Sequence, residues 1–194
     1  GNLNIPVLML DTEMSKEDHI TRLLAKFSSI SINDIATGSF ADSSAGREKV
    51  DQASAKFKEI PLHYVSIAGK AFEETLSIMR RWVLQEVGVD ENGRTNDCMI
   101  IYDYLKLMNS SQISNNMQEH QVLGFQMTEL HNFTVKYDVP CLSFVQLNRD
   151  GITKESGGVV SGSDRILWLC GSFSIFKTKS DEEIAEDGGA SGNR

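Results

Sequence analysis

The sequence feature that most constrains the fold is a short apolar run that ends in a carboxylate. Residues 99–102 (MIIY) are followed directly by Asp103. A continuous apolar run of this length predicts a central strand of a parallel sheet with helices on both faces. Because open sheets of this kind bind ligands just beyond the carboxyl ends of their strands, Asp103 is a candidate ligand for a magnesium ion or its water. The alternative is a surface Asp that caps a loop or a helix.

Strand-like runs alternate with helix-like stretches along the chain. This alternation predicts βαβ units with right-handed crossovers, a mainly parallel sheet and a single domain over residues 1–194. The charged, Gly-rich residues 180–194 are predicted to form a mobile tail. Strands are predicted at residues 6–10, 62–67, 99–103, 141–145 and 166–170, with 172–176 as a possible further strand, and helices at 15–27, 31–38, 44–59, 72–87 and 118–136.

The composition is that of an ordinary globular chain, 194 residues long with 40% hydrophobic and 24% charged residues. No apolar run reaches the length of a membrane span, so we expect a soluble, intracellular protein. The net charge is −8, so the chain lacks the overall positive charge of many nucleic-acid binders. Local cations can still bind a nucleic-acid strand. The three cysteines form no CxxC pair, which favours free thiols in a reducing compartment. The four histidines have no metal-ligand spacing, which favours structural or solvated imidazoles.

Three predicted strands are followed by side chains suited to nucleotide chemistry, namely Glu13, Asp103 and Gln146. Transfer of a phosphoryl group to water needs a metal on the terminal phosphates, a group that orients the water and a sensor of the terminal phosphate. A carboxylate, a second carboxylate and an amide fit these three roles if the strands are neighbours. Taken singly, each residue could equally be a cap, a solvated carboxylate or a loop amide.

Three ordered stretches of the sequence resemble the motifs of one known family. The first includes Glu13 and Met14 and continues to Thr37 and Gly38, the second is residues 100–108 (IIYDYLKLM), and the third is residues 146–149 (QLNR); residues 161–164 (SGSD) are a weaker fourth match. Together they resemble the ATPase domain of DnaB-type replicative helicases of superfamily 4. The resemblance implies an α/β fold, a RecA-like three-layer sandwich with a mainly parallel sheet flanked by helices.

The resemblance also implies a role for each candidate residue. Glu13 matches the glutamate that polarises the attacking water, Asp103 the Walker B residue that holds Mg²⁺ through water, and Gln146 the sensor of the terminal phosphate. The implied cofactors are ATP and Mg²⁺. The implied partners are single-stranded DNA, further copies of the chain in a hexameric ring, a primase and a helicase loader. The implied location is the cytoplasm of a bacterial or phage-infected cell, and the length and acidity of the tail resemble phage members.

The DNA loops of the family correspond to the polar stretch after Met108 and to the Gly/Ser stretch after Arg149. Arg149, Lys154 and Arg165 are the cations there that could meet phosphates. Solvated surface cations are the alternative for each of them.

The phosphate-binding motif GxxxxGK[ST] is absent from these 194 residues. In the resembled family this motif lies upstream of the first strand seen here, and the arginine finger lies beyond the tail. The P-loop amides and lysine carry much of the nucleotide-binding energy, so we expect this chain alone to bind ATP poorly and to hydrolyse it negligibly. A recombinase-type ATPase and a non-catalytic RecA-like scaffold or loader are the alternatives to a helicase motor.

Overall fold

The computed structural model describes residues 4–106, 108, 118–146, 164–176 and 179–187. Its regular elements alternate between strands and helices over most of this length. The strands are β1 (Val7–Asp11), β2 (Leu62–Ser66), β3 (Met99–Asp103) and β4 (Cys141–Ser143). The helices are α1 (Lys16–Ser28), α2 (Ile32–Thr37), α3 (Ser44–Lys58), α4 (Phe72–Trp82), α5 (Glu119–Tyr137), α6 (Asp164–Leu169) and α7 (Asp181–Asp187), with a 3-10 turn at Ser39–Asp42 and a π-helical turn at Val83–Val87.

The four described strands form one parallel sheet in the order β2-β1-β3-β4. In its register Asp11, the last residue of β1, pairs with Ser66 of β2 on one side and with Asp103 of β3 on the other. The predicted parallel sheet flanked by helices is therefore confirmed, and the carboxyl ends of β1, β3 and β4 lie next to one another in that order.

The core lies around the two inner strands. Leu8 and Leu10 of β1, and Ile100 and Tyr102 of β3, are completely buried. Burial of strand side chains at this level requires cover from helices, and the cluster includes apolar side chains of α4 and α5. Because the inner strands are packed in the core, they fix where the polar residues after β1 and β3 emerge at the carboxyl edge of the sheet.

Local capping agrees with the sequence at the helix ends next to the sheet. Ser15 accepts a hydrogen bond from the Asp18 amide and donates its hydroxyl to the Asp18 carboxylate, so α1 begins directly after the β1 turn. Gly38 ends α2 with φ +80°, a conformation that favours glycine. Serine at the start of a helix and glycine at its end are the residues that these cap geometries favour.

The predicted strand over residues 166–170 is wrong, because this segment forms helix α6. Ile166 is buried, Trp168 is 80% exposed, and the Cys170 amide donates to the Ile166 carbonyl at 3.2 Å in the helical pattern. A short apolar run fits a strand and a buried helical turn equally well, and here it packs against α5. Residues 172–176 have no regular secondary structure, and the helix predicted over 72–87 changes to a π-helical turn after Trp82.

Two further expectations concern the polar loop and the tail. The polar stretch predicted after Met108 lies outside the described residues. Part of the predicted tail forms helix α7, while residues 188–194 also lie outside the description. Within the described part of the chain, no helix is both long and apolar enough to cross a membrane.

Candidate functional site

The carboxyl ends of β1 and β3 are joined by hydrogen bonds beyond their last paired residues. The Thr12 amide donates to the Asp103 carbonyl at 2.9 Å, and the Thr12 hydroxyl oxygen accepts from the Tyr104 amide at 3.3 Å. Neighbouring strands in a sheet lie about 4.8 Å apart. The segments that follow the two strands therefore leave the sheet side by side.

Asp11 shapes the turn that carries Glu13. Its side chain is only 2% exposed, and its Oδ1 accepts from the amides of Glu13 and Met14 at 2.8 Å each. This is an Asx-type turn, in which a short carboxylate holds the backbone that follows it. The turn places Glu13 at the surface, just outside the buried Asp11.

Glu13 is bound by the segment that follows β3. The Tyr104 hydroxyl donates to Oε1 of Glu13 at 2.9 Å, and this hydrogen bond is the main reason that the pKa of Tyr104 is raised. Lys106 donates from Nζ to the Thr12 carbonyl at 2.6 Å, and its Nζ lies 5.9 Å from the centroid of the Tyr104 ring. Two side chains from one segment thus reach back to the turn after β1.

Asp103 lies in a negative environment. Burial raises its pKa above the ordinary value, the charges of Asp11 and Glu13 raise it further, and His19 has a smaller opposing effect. The ionised form of Asp103 is therefore disfavoured in the folded chain, and a cation close to it would relieve the repulsion.

The residues present fit a magnesium ion that is shared with a ligand. Asp103 offers hard oxygen atoms, and Oδ2 of Asp11 is buried without a hydrogen-bond partner. Among the described residues, no group of three His, Cys, Asp or Glu side chains could hold a metal by itself. Magnesium commonly binds through one or two carboxylates, waters and substrate phosphates, and this arrangement matches that mode.

An aromatic pair of buried His19 and half-buried Tyr64 lies behind the turn after β1. The His19 ring stacks on Tyr64, with 4.0 Å between centroids and 15° between planes, and the Tyr64 hydroxyl donates to the Met14 carbonyl at 3.0 Å. Nε2 of His19 is buried without a partner, and burial lowers the pKa of this imidazole. His19 is thus a structural histidine that supports the turn.

Gln146 lies beyond the end of β4, and its side chain is exposed. Strand β3 lies between β1 and β4, so the two strands that precede Glu13 and Gln146 are two strand spacings apart, or roughly 10 Å. Arg165 is an exposed residue of α6, and Arg149 and Lys154 lie outside the described residues. The geometry therefore brings Glu13 and Asp103 together most closely, with Gln146 farther along the same edge.

Comparison with known proteins places this chain in a family. The family model described as "DnaB-like helicase C terminal domain" matches residues 2–157. The chain belongs to this family. It is 30% identical over 148 residues, 76% of its length, to the replicative DNA helicase DnaB of Synechocystis sp., and it spans only 16% of that protein.

Two solved structures share the fold of this DnaB-family chain. One is a DnaB-like replicative helicase studied with its interactions with primase, with a TM-score of 0.69, 18% identity, and coverage of 86% of this chain and 38% of that one. The other is an ATPase domain with a TM-score of 0.73, 17% identity, and coverage of 96% and 63%. The RecA-like fold expected from the sequence is thereby confirmed.

Sequence reasoning missed several residues of the site in this DnaB-family chain. No role was predicted for Asp11, and nothing in the sequence marks Tyr104 or Lys106 as contacts of the turn after β1. Gln126 was also missed, although a glutamine within the apolar stripe of a predicted helix is a usable signal. It is completely buried, and its amide donates to the Lys106 carbonyl at 2.8 Å and accepts from the Met108 amide at 3.1 Å.

Proposed function

We propose that this chain is part of the ATPase motor domain of a replicative DNA helicase, in which ATP hydrolysis drives movement along single-stranded DNA and duplex unwinding. The observation that carries the proposal is the pairing of Asp11 with Asp103, which brings the turn of Glu13 beside the end of β3. Membership of the DnaB-like family favours this function over a recombinase or a non-catalytic scaffold.

Each residue has a distinct role in the proposed reaction. Asp103 would hold Mg²⁺ through water, and the ion would supply positive charge to neutralise the phosphates of ATP. Glu13, exposed at the edge of the sheet, accepts a hydrogen bond from the attacking water and orients it. Gln146, on the same edge, contacts the terminal phosphate and couples its loss to the segments that follow β4.

The exposed edge of the described sheet favours a domain that extends beyond the described residues. Within the described sheet β4 pairs only with β3, and Leu142 and Phe144 beside its free edge are 44% and 47% exposed. Exposed apolar residues along an unpaired strand are typical of a surface that another element covers. We propose that residues 1–194 are part of one RecA-like domain and that a strand carrying the phosphate-binding loop pairs with β4.

The proposed partners are single-stranded DNA and further copies of the same protein in a ring. Arg149, Lys154 and Arg165 are the cations assigned to the DNA phosphates. The solved DnaB-like relative was studied with primase, which supports a primase as a partner here. A helicase loader as a further partner and a cytoplasmic location are part of the same proposal.

The proposal is tested by ATPase and unwinding assays on the protein expressed from its complete reading frame. We expect Mg²⁺-dependent ATP hydrolysis that single-stranded DNA stimulates, together with unwinding of a forked duplex. The 194-residue chain alone should show no turnover above background, since it lacks the GxxxxGK[ST] motif. Helicase-level turnover by that chain, or absence of DNA-stimulated hydrolysis in the complete protein, would contradict the proposal.

A further inference from the structure

We propose that Tyr104 is a positioning residue for Glu13, and that it links the orientation of this carboxylate to the segment after β3. The inference rests on the proposed function, because it concerns how the water-orienting carboxylate of that site is held. It assigns a role to a side chain that contacts Glu13 through one oxygen atom, at 2.9 Å.

Glu13 needs a partner because its side chain is exposed and the turn fixes only its backbone. Its backbone is fixed by Asp11, but its side chain is exposed at the surface. An exposed glutamate samples several rotamers, and restricting it to one costs conformational entropy before any reaction. The hydroxyl of Tyr104 fixes Oε1 and leaves Oε2 free to accept a hydrogen bond from water. A carboxylate held in one orientation acts on that water without this cost at each turnover.

Tyr104 can serve as a fixed point because the chain around it is anchored on three sides. The Leu105 amide donates to the Phe144 carbonyl at 2.8 Å, which ties the segment to the end of β4. Lys106 binds the Thr12 carbonyl with its side chain, while its own carbonyl is bound by Gln126 of α5. The segment therefore contacts the turn after β1, the end of β4 and a helix of the core.

The same contacts connect the segment after β3 to both the candidate site and the residues that follow Met108. Gln126 also binds the Met108 amide, and the Tyr102 hydroxyl donates to Sδ of Met108 at 2.9 Å. Met108 immediately precedes the polar stretch to which DNA contacts are assigned above. A displacement of the chain at Met108 would be carried through Lys106 to Tyr104, and from there to Oε1 of Glu13.

The test uses the complete protein with Tyr104→Phe, which removes the hydroxyl and keeps the ring beside Lys106. Tyr137→Phe is the matched control, because Tyr137 packs on Phe133 at the opposite, amino-terminal edge of the sheet. We expect Tyr104→Phe to lower kcat for DNA-stimulated ATP hydrolysis roughly tenfold with KM for ATP little changed, as for loss of a hydrogen bond to a charged group. Tyr137→Phe should keep the wild-type kcat.

A double-mutant cycle with Glu13→Gln separates positioning from a general structural effect. If Tyr104 acts through Glu13, Tyr104→Phe should cause no further loss of single-turnover rate when Glu13 is already Gln. An equal fold-loss in both backgrounds, or an unchanged kcat in Tyr104→Phe alone, would overturn the inference. The proposed function fails separately, if Glu13→Gln itself hydrolyses ATP at the wild-type rate.

Discussion

The junction of β1 with β3 and the edge at β4 carry the same kind of feature, a polar side chain after a parallel strand, in different settings. At the junction, Asp11 is buried, pairs in register with Asp103 and binds two backbone amides. At the edge, β4 is a three-residue strand, and Phe144 and Gln146 beyond it are exposed. The inner strands are paired on both sides, whereas β4 pairs on one side only within the described part of the chain.

This difference teaches how the two halves of the site are specified. The register of two buried strands fixes the backbone positions of Glu13 and Asp103. The position of Gln146 depends on a short strand with one free side. We therefore expect substitutions at the junction to affect stability strongly and equivalent ones at the edge to affect it little.

The largest difference should come from truncating one large side chain in each region. Tyr102 is completely buried in β3, so Tyr102→Ala should destabilise the chain by about 3–5 kcal/mol through lost burial and cavity formation. Phe144→Ala, at a side chain 47% exposed beside the β4 edge, should cost less than about 1 kcal/mol. Urea denaturation of the 194-residue chain measures both, and equal losses would remove the distinction between junction and edge.

The next effect concerns polar side chains at the two strand ends. Asp11→Ala leaves the amides of Glu13 and Met14 without their acceptor and should cost about 2 kcal/mol. Asp11→Asn keeps an acceptor oxygen and should cost much less. Ser143→Ala is the matched change in β4, and because the Ser143 hydroxyl is buried without a partner, its loss should be neutral or stabilising. If Ser143→Ala lowered the stability of the chain as much as Asp11→Ala, this account would be contradicted.

A smaller effect of opposite sign is expected at Asp103. Its pKa is raised by burial and by the charges of Asp11 and Glu13, so the ionised carboxylate opposes folding at neutral pH. Asp103→Asn should therefore raise the Tm of the 194-residue chain by about 2 °C, the shift expected for somewhat less than 1 kcal/mol in a chain of this size. The gain should shrink in high salt, and Asp51→Asn on the exposed face of α3 should show none. A lower Tm for Asp103→Asn would mean that the carboxylate is stabilising without a cation.

The smallest effect is the pH dependence due to His19. Burial lowers the pKa of His19, and Asp11 and Asp103 oppose this only partly. The unfolded chain therefore binds a proton near pH 6.5 while the folded chain does so at lower pH, and stability falls as the pH drops from 6.5 through the folded pKa. His19→Phe should flatten the free energy of unfolding between pH 7.5 and 5.5, whereas His63→Phe at an exposed position should not. Parallel pH curves for wild type and His19→Phe would contradict the assignment.

Most of the fold was predictable because periodicity and burial agree in the inner strands. The apolar runs of β1 and β3 have only one setting in which they are buried on both faces, and Ser15 and Gly38 mark helix ends by local chemistry. The segment of α6 could not be assigned in this way. Its short apolar run fits both a strand and a helix, and the choice depends on packing against α5, which lies far away in the sequence.

The sequence offered the outer residues of the candidate site and not the residues that support them. Glu13 and Asp103 were chosen because they follow strands, and the register brings their segments together. The hydrogen bond from Tyr104 to Glu13 joins residues 91 positions apart, and no local pattern marks it. The same holds for Gln126, whose partners become visible only when α5 packs against the segment after β3.

The central claim is that the β1–β3 junction holds the carboxylate that orients the attacking water in an ATPase. The most direct test is Glu13→Gln in the complete protein, with Glu17→Gln on the exposed first turn of α1 as the control. The account predicts that Glu13→Gln binds Mg-ATP with an affinity close to wild type and loses hydrolysis by roughly 100-fold or more, as expected when a group that orients the water is removed. Glu17→Gln should be near wild type in both assays. Wild-type turnover in Glu13→Gln would contradict the claim.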